Sequence, residues 1–347
     1  MHASRQCERI LLCRPQGGLN DILCTIERAR RYAEKYDRAL FVDTNYVNTD
    51  YIKDDFSNYF KSKDKIVHLN SSPIARKLVD LTIFPYCVAD KVNRYHAYYD
   101  FGLGNFAEQD SRQRISFNFD VDYAEQLLVL HACGSGRGLG VSLLSRLQLS
   151  DDLADQLARR LNTIGGPYLG VHIRHTDYKC DYERSLALLK PRLLLDTNCN
   201  NLFVATDNID CLNHCKALFS PFNIFSFSSL PKVAGTPIHY RPDTSNRFQE
   251  NADAILDVVM LALAKSLFPL PLAPGQPVLL SGFSILACEL RNNPVVLERL
   301  APSIFASVNF VRTSQTMGTR NAICSCGSGK RYKHCCGLSG SATSRLS

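Results

Sequence analysis

The sequence predicts an α/β protein of two domains, in which helices cover parallel sheets, with a small metal-binding segment near its C-terminus. Short apolar runs alternate with helix-forming segments, an order typical of parallel sheets covered by helices. The 347 residues exceed the length at which a single hydrophobic core usually stops growing, so two domains are expected. Four cysteines that lie close together in the last part of the chain indicate a metal site.

The strands and helices are predicted from hydrophobic periodicity and from the residues that end each run. The predicted strands are apolar runs at 9–13, 39–43, 65–69, 127–130, 168–173, 202–206, 223–227 and 278–281. The predicted helices lie at 20–36, after Ser150, at 252–268 and from 283 onward. The pattern weakens between 50 and 106, so most of that segment is predicted to be irregular.

A domain boundary is predicted between residues 140 and 165, where a glycine-rich turn at 133–140 is followed by a helix that Ser150 caps. The turn lacks the Lys-Ser/Thr pair of a P-loop, so ATP hydrolysis is not predicted. The predicted parts are an N-terminal domain, a C-terminal domain, a metal-binding segment and a disordered Gly/Ser-rich tail, at 8–150, 151–312, 320–338 and 339–347.

The distribution of charge argues against an extended nucleic-acid-binding surface. The formal net charge is +7, but no acidic residue follows Glu298, so the basic excess lies in the last part of the chain. The remainder is close to neutral, which is atypical of a protein with a broad surface for nucleic acid. A short basic segment near the C-terminus is still able to contact an acidic protein partner or RNA.

Cysteine usage and hydropathy predict a cytoplasmic protein without a transmembrane segment. The protein has 14 cysteines, and those outside the C-terminal cluster are too scattered for a small disulfide scaffold, which indicates reduced thiols. No signal peptide is indicated. The longest apolar stretch, at 252–272, contains charged residues and prolines, so a membrane-spanning helix is not expected.

The cysteine cluster predicts a structural zinc site. Cys324, Cys326, Cys335 and Cys336 are spaced C-x-C-x8-C-C around a Gly-Ser-Gly turn, and four thiolates suit zinc with a closed coordination sphere. Buried reduced thiols are a poor alternative, because adjacent cysteines on a Lys/Arg-rich segment have no core to enter. The segment resembles the SEC-C motif, in which the fourth ligand is often histidine; here Cys336 takes that place. Four closed thiolates also argue against a metal-dependent hydrolase.

Polar residues at the end of the strand predicted at 168–173 indicate an anion-binding site. His172 and Arg174 alternate along the chain and therefore share one face of the strand. A guanidinium can bind a phosphate through two parallel hydrogen bonds. His175 and Asp177 follow directly. The alternative is a surface loop whose charges pair with one another.

Two further predicted strands also end in polar segments, at 206–208 and 281–284. Ligands of open parallel sheets bind at the carboxyl ends of the strands. The three polar strand ends are therefore expected to converge on one crevice.

Four sequence blocks resemble, in this order, the signature segments of the GDP-fucose-dependent α-1,6-fucosyltransferases and their O-fucosyltransferase relatives. They are Gly170-Val-His172-Ile-Arg174-His175, Phe203-Val-Ala-Thr-Asp207, Asn246-Arg247-Phe-Gln-Glu250-Asn251 with Ile255-Leu-Asp257, and Gly282-Phe-Ser284. The bacterial nodulation branch is the most similar, since it also has arginine followed by histidine. The resemblance reaches across residues 10–292 as short blocks and includes Gly17 and Gly18.

The resemblance implies a glycosyltransferase with a GT-B-like fold, in which two Rossmann-like domains face each other across a cleft. It implies inverting transfer of fucose from GDP-fucose, without a catalytic metal, to a glycan, lipid or protein on the side of the N-terminal domain. Arg174 would stabilise the charge on the leaving diphosphate, Asp207 and Asp257 would position guanine or ribose, and Ser284 would bind a phosphate at a helix start. The residues assigned in this way to donor binding are Gly17, Gly18, His172, Arg174, Asp207, Arg247, Asp257 and Ser284.

The predicted catalytic set is Arg174, His175 and Asp177. Asp21, Asp177 and His175 are alternatives for the general base, because that assignment needs geometry. His175 replaces an arginine of the animal enzymes, and Asn208 replaces their second acidic residue. These departures bear more on the specificity for GDP-fucose than on the fold.

The alternative to an enzyme is a non-catalytic binding or adapter protein. In that case the transferase-like fold persists without activity, and the protein acts through a partner at its zinc-binding segment. Binding of a nucleotide sugar distinguishes the two, because only the enzyme requires it.

Overall fold

The computed structural model describes residues 9–46, 52–71, 73, 81–134, 136–195, 198–230, 246–275, 279–307 and 331. Contacts within the chain divide it into two compact units. The first comprises residues 1–153 with 239–252, and the second comprises 154–238 with 253–347. Each unit has a parallel sheet and a hydrophobic core of its own.

The first unit is an α/β layer structure. Its strands are β1 (Ile10–Pro15), β2 (Ala39–Val42), β3 (Phe60–Ser62), β4 (Val67–His68), β5 (Ile83–Phe84), β6 (Ala97–Asp100), β7 (Asn105–Glu108), β8 (Leu127–Ala132) and β9 (Leu147–Leu149), and its helices are α1 (Leu19–Lys35) and α2 (Leu139–Leu144). Five of these strands form a parallel sheet in the order β4-β2-β1-β8-β5. All six residues of β1 are buried, as expected for a central strand with both faces covered.

The turn between β1 and α1 requires glycine at position 17. Gly17 has a φ of 101°, in the region that other residues rarely adopt. A Cβ atom there would lie 2.7 Å from Sγ of Cys133 and 2.9 Å from Cβ of Asp21. The predicted strand–glycine turn–helix–strand order is therefore observed, with the turn packed tightly against the exit of β8.

The segment from 50 to 106, which the sequence predicts to be mostly irregular, contains more regular structure than expected. Strands β6 and β7 form an antiparallel hairpin, β3 pairs with β9, and β5 joins the parallel sheet. The strand predicted at 65–69 is shorter, because only Val67 and His68 pair with β2. These strands have two to four residues, too few for periodicity to be recognised in a sequence rich in Tyr, Asn and Asp.

The second unit is also an α/β layer structure. Its strands are β10 (Tyr168–Ile173), β11 (Asn201–Thr206), β12 (Asn223–Phe225) and β13 (Ser266–Pro269), and its helices are α3 (Asp151–Ile164), α4 (Tyr182–Leu194), α5 (Ile209–Leu218), α6 (Arg247–Leu263), α7 (Gly282–Arg291), α8 (Pro294–Leu300) and α9 (Pro302–Ser307). The four strands form a parallel sheet in the order β12-β11-β10-β13. The central strand β10 is buried along its whole length.

Two predicted elements of this unit differ from the structure, one in its bounds and one in its type. The helix predicted at 252–268 begins earlier, at Arg247, and ends at Leu263; the residues after it form β13, which pairs with β10. Residues 279 and 280, predicted as part of a strand, form a bend, Ser281 caps α7, and Leu279 is exposed. A buried helix and a buried strand both read as continuous apolar sequence, so periodicity does not separate them.

None of the described helices is both long and apolar enough to cross a membrane. The described cysteines are all free, and most of them are buried. Burial, rather than disulfide bonding, therefore accounts for the cysteines scattered through both units.

Candidate active site

The loop that follows β10 carries Arg174 between two carboxylates. Its Nη1 lies 2.7 Å from Oδ2 of Asp207 and its Nη2 lies 2.6 Å from Oδ1 of Asp177. Burial alone would raise the pKa of Asp177, but the charge of Arg174 and the hydrogen bonds to the carboxylate lower it below its ordinary value. The structure thus brings together two predicted catalytic residues, Arg174 and Asp177, with a predicted donor-binding residue.

Asp207 positions this loop. It is buried at the exit of β11, and its Oδ1 accepts the backbone N–H of His175 at 2.9 Å. Its Oδ2 accepts the hydroxyl of Thr176 at 2.7 Å as well as the guanidinium of Arg174. Both oxygens of this carboxylate are therefore bonded to the loop, so Asp207 fixes the position of Arg174, His175 and Thr176.

Asn208 supports the same loop, a role that the sequence did not indicate. Its Oδ1 caps α5 by accepting the backbone N–H groups of Asp210 at 2.9 Å and Cys211 at 3.2 Å. Its Nδ2 donates to the carbonyl of His175 at 3.2 Å. The sequence could have indicated the helix cap, because asparagine is favoured before the first residue of a helix. It carried no sign of the hydrogen bond from Asn208 to the loop.

His172 lies at the end of β10 and is buried. Its Nδ1 is 2.6 Å from the hydroxyl of Ser284, and its ring stacks on Phe283 at a centroid distance of 4.7 Å. Burial lowers the pKa of His172 to about 4, so the ring is neutral at physiological pH. It is therefore a neutral hydrogen-bonding group beside the charged Arg174.

Ser284 and Ser281 form the start of α7. Ser281 is the N-cap, and its Oγ accepts the backbone N–H of Ser284 at 3.2 Å. Its hydroxyl donates to Oγ of Ser284 at 3.2 Å. The hydroxyl of Ser284, predicted to bind a phosphate, is buried and is shared between Ser281 and His172. The predicted strand before Ser281 is absent from residues 279–281, so a helix start, and not a strand end, brings these serines to His172.

His175 is half-buried beside α4. Its Nδ1 accepts the backbone N–H of Cys180 at 3.2 Å, and its ring meets the edge of Tyr182 at 4.9 Å. Because Nδ1 is an acceptor, the neutral ring carries its proton on Nε2. In this tautomer Nε2 is a hydrogen-bond donor and has no lone pair for proton abstraction.

Asp257 lies elsewhere in the second unit, in a buried charged cluster. Arg160 bonds to Asp253 and, at 3.2 Å, to Oδ1 of Asp257, while Ser228 donates to Oδ2 of Asp257 at 2.7 Å. Burial raises the pKa of Asp257 to about 7, because one guanidinium does not neutralise two buried carboxylates fully. The sequence predicted Asp257 but missed Arg160 and Asp253, since charges on an amphipathic helix carry no sign of a buried partner.

The remaining predicted residues lie in the first unit. Gly17 and the N-cap residue Gly18 directly precede α1. Burial raises the pKa of Asp21 in the first turn of this helix, although the backbone N–H of Gly18 partly offsets this. Arg247 starts α6, a helix whose residues up to 252 belong to the first unit, and it lies 3.4 Å from a carboxylate oxygen of Glu250. These residues are thus placed at two helix starts.

A second buried polar cluster in the first unit was not predicted. Arg14 pairs with Asp43 at 2.9 Å and lies between the rings of Tyr46 and Tyr95, 4.8 and 5.2 Å from their centroids. His131 lies beside Arg14 in register on β8 and bonds to Tyr95. The members of this cluster bond to one another, and these bonds connect the carboxyl ends of β1, β2 and β8.

The predicted zinc ligands Cys324, Cys326, Cys335 and Cys336 lie outside the described residues. Within the described ranges, no group of three or more His, Cys, Asp or Glu side chains is arranged to hold a metal ion. A family model for the SEC-C motif matches residues 320–338, which confirms the resemblance of this segment.

The fold is similar to that of solved fucosyltransferases. The chain is similar to NodZ α-1,6-fucosyltransferase co-crystallised with GDP, with a TM-score of 0.52 and 19% identity over 81% of this chain and 92% of that one. It is similar to fucosyltransferase NodZ from Bradyrhizobium, with a TM-score of 0.50 and 18% identity over 81% and 93% of the two chains. It also matches POFUT1 in complex with GDP, with a TM-score of 0.50 and 12% identity over 82% and 96%.

These similarities confirm the predicted α/β fold class and the resemblance to fucosyltransferases at the level of fold. A search of curated protein sequences gives no match. At 12–19% identity the similarity concerns the fold alone.

Proposed function

We propose that this protein is a fucosyltransferase that uses GDP-fucose, inverts the anomeric centre and needs no catalytic metal, with a glycan, lipid or protein as acceptor. The observation that carries the proposal is the position of Arg174 after the central strand of a parallel sheet, held there by Asp207. Structures of similar fold were obtained by co-crystallisation with GDP or by soaking with GDP-fucose. The carboxyl end of such a sheet is where ligands bind.

Arg174 is the group that would stabilise the leaving nucleoside diphosphate. A diphosphate gains negative charge as its bond to the sugar breaks, and a guanidinium fixed in advance stabilises that charge without having to reorganise. Asp177 occupies one edge of the guanidinium at 2.6 Å, so the diphosphate replaces this carboxylate while Asp207 keeps its hold. The half-exposed Asp177 is the more easily displaced of the two carboxylates.

Both histidines present hydrogen-bonding groups beside Arg174. His172 is uncharged at physiological pH, and His175 presents an Nε2–H donor. Asp177 is paired with Arg174 and has a lowered pKa, which makes it a weak base. Of the three alternatives for the general base, Asp21 is the one whose pKa burial raises, which makes its carboxylate a stronger base than an ordinary one.

The C-terminal segment would be a structural zinc site and a contact for a protein partner. The SEC-C match includes Cys324, Cys326, Cys335 and Cys336. Four thiols fit zinc by the chemistry of the donor set, and small metal sites of this kind acquire their fold from the metal. A cytoplasmic location would keep these thiols, and the free cysteines of the two units, in the reduced state.

Calorimetric titration of the zinc-loaded protein with GDP, UDP and ADP tests the proposal. We expect selective binding of GDP, loss of that binding in Arg174→Ala, and wild-type binding in Arg159→Ala, which removes an exposed arginine of α3. Transfer of radiolabelled fucose should likewise be lost in Arg174→Ala and retained in Arg159→Ala. Absence of nucleotide binding in a folded protein would contradict the proposal. It would favour the adapter alternative, for which the SEC-C match is the supporting observation.

A further inference from the structure

Helix α4 has apolar residues on two opposite faces. Leu186, Leu189 and Leu193 are buried in the core of the second unit. Leu188 and Leu195, by contrast, are 69% and 81% exposed. A surface helix of a globular protein normally presents charged or polar residues to solvent, so the outward leucines call for another partner.

The exposed apolar residues of α4 form one stripe. Leu188 and Leu195 are seven residues apart, which is two helical turns, and Pro191 lies between them on the same side. Ala187 and Leu194 are exposed along one border of the stripe. Leu188, Pro191 and the C-cap residue Leu195 define the outward face of α4.

Two arginines extend the outward face. Arg184 and Arg192 are four residues before and after Leu188, so all three share one side of the helix. Both arginines are exposed, and in the part of the chain that the structure describes neither pairs with a carboxylate. Arg192 lies 5.7 Å above the ring of Phe268, which leaves its charge uncompensated. The face is therefore both apolar and positively charged.

We propose that the outward face of α4 binds an anionic lipid surface. Leucines flanked by arginines are the pattern of a helix that lies in the membrane interface, where the leucines enter the acyl boundary and the guanidinium groups reach the phosphates. A second copy of this chain fits the face less well, because a twofold contact would bring Arg184 and Arg192 of both copies together without counter-charges.

The position of α4 relates this surface to the candidate active site. Tyr182, its first residue, contacts the ring of His175 in the loop that carries Arg174. A membrane bound along α4 would therefore lie close to that loop, which favours a lipid-linked acceptor among the three acceptor classes. This consequence rests on the proposed function, whereas binding to the lipid surface does not.

Flotation of the full-length, zinc-loaded protein with vesicles tests the inference. The vesicles contain phosphatidylcholine alone or phosphatidylcholine with phosphatidylglycerol. We expect binding to the anionic vesicles only, weakened about tenfold by Leu188→Gln with Leu195→Gln and by Arg184→Gln with Arg192→Gln. Val295→Gln, which removes an exposed apolar residue of α8, should bind like the wild type. GDP binding should be the same in all variants, so failure of this inference is distinguishable from failure of the proposed function.

Two vesicle-binding results would overturn the inference. One is wild-type vesicle binding by both double variants, which would assign the affinity to another part of the chain, such as the basic C-terminal segment. The other is absence of binding to either vesicle by the wild type. If the wild type is also a dimer that the double leucine variant converts to a monomer, the face joins two copies of the chain and the lipid proposal fails.

Discussion

Arg174 and Asp207 lie side by side because β10 and β11 are parallel and in register. Ile173 is opposite Thr206, the last residues of the two strands, so the residues that follow each strand meet at the same edge of the sheet. Their ion pair of 2.7 Å joins two segments that are 33 residues apart in sequence. The geometry of the sheet thus places a carboxylate where it can orient the guanidinium.

The two carboxylates on Arg174 should affect nucleotide binding in opposite directions. Asp207→Asn removes the charged support of the loop and should weaken GDP binding by about tenfold to a hundredfold. Asp177→Asn removes the anion that competes with the diphosphate and should leave GDP affinity unchanged or increase it. Titration calorimetry measures both, with Asp155→Asn, an exposed carboxylate of α3, as the control. Equal losses in both variants would contradict the separate roles.

The stability of the second unit should depend on pH through Asp257. Burial raises its pKa to about 7 from an ordinary value of 3.8, so the folded state holds this proton more tightly than the unfolded state. Its contribution to the free energy of unfolding is therefore full below pH 4 and is lost as the pH rises to about 7. In Asp257→Asn the free energy of unfolding should decrease less as the pH rises.

The measurement is the free energy of unfolding in urea between pH 5 and pH 8, for the wild type, Asp257→Asn and Asp155→Asn. The exposed Asp155 has no part in the buried cluster, so its variant should follow the wild type. A slope that is identical in all three proteins would show that Asp257 ionises normally in the folded state.

The tight turn at Gly17 should make alanine costly there. Gly17→Ala introduces a Cβ atom 2.7 Å from Sγ of Cys133 in addition to an unfavourable φ of 101°. Gly275 has a φ of 88°, but no atom lies within 4 Å of the place that a Cβ would occupy, so Gly275→Ala experiences the backbone effect alone. We expect Gly17→Ala to be the less stable variant by about 1–3 kcal/mol, the usual effect of overpacking. Equal denaturation midpoints would show that Cys133 moves aside without penalty.

Removal of zinc should affect the C-terminal segment and leave the body folded. Cys335→Ser should lose the metal, whereas Cys133→Ser, which changes an exposed cysteine of the first unit, should retain one zinc ion per chain. Elemental analysis measures the metal, and circular dichroism with GDP titration reports on the body. Zinc retained in Cys335→Ser, or loss of GDP binding under chelation, would contradict a separate structural site.

Much of the fold could be predicted because its signals are local. The buried strands β1, β8, β10 and β11 are apolar runs that end in polar or glycine residues, and all four occur where the sequence placed them. The strand β13 was missed because it continues the apolar sequence of α6, and the short strands of the segment between 50 and 106 were missed because their partners are distant in the chain.

The site shows the same division. Residue type and order placed Arg174, Asp207 and Ser284 after strands or at a helix start, and the SEC-C spacing is visible in the sequence alone. Which side chains bond to one another was not visible: Ser284 to His172 spans 112 residues and Asp257 to Arg160 spans 97.

The sequence by itself determined the α/β class, the resemblance to fucosyltransferases and the cysteine spacing near the C-terminus, because periodicity and motif spacing act over a few residues. The tertiary structure decided that Asp207 supports Arg174, that Asp257 is bonded to Arg160 inside the second unit, and that α4 presents leucines to solvent. These facts depend on strand register and on which helix face meets the core, and both are set by packing between segments far apart in the chain.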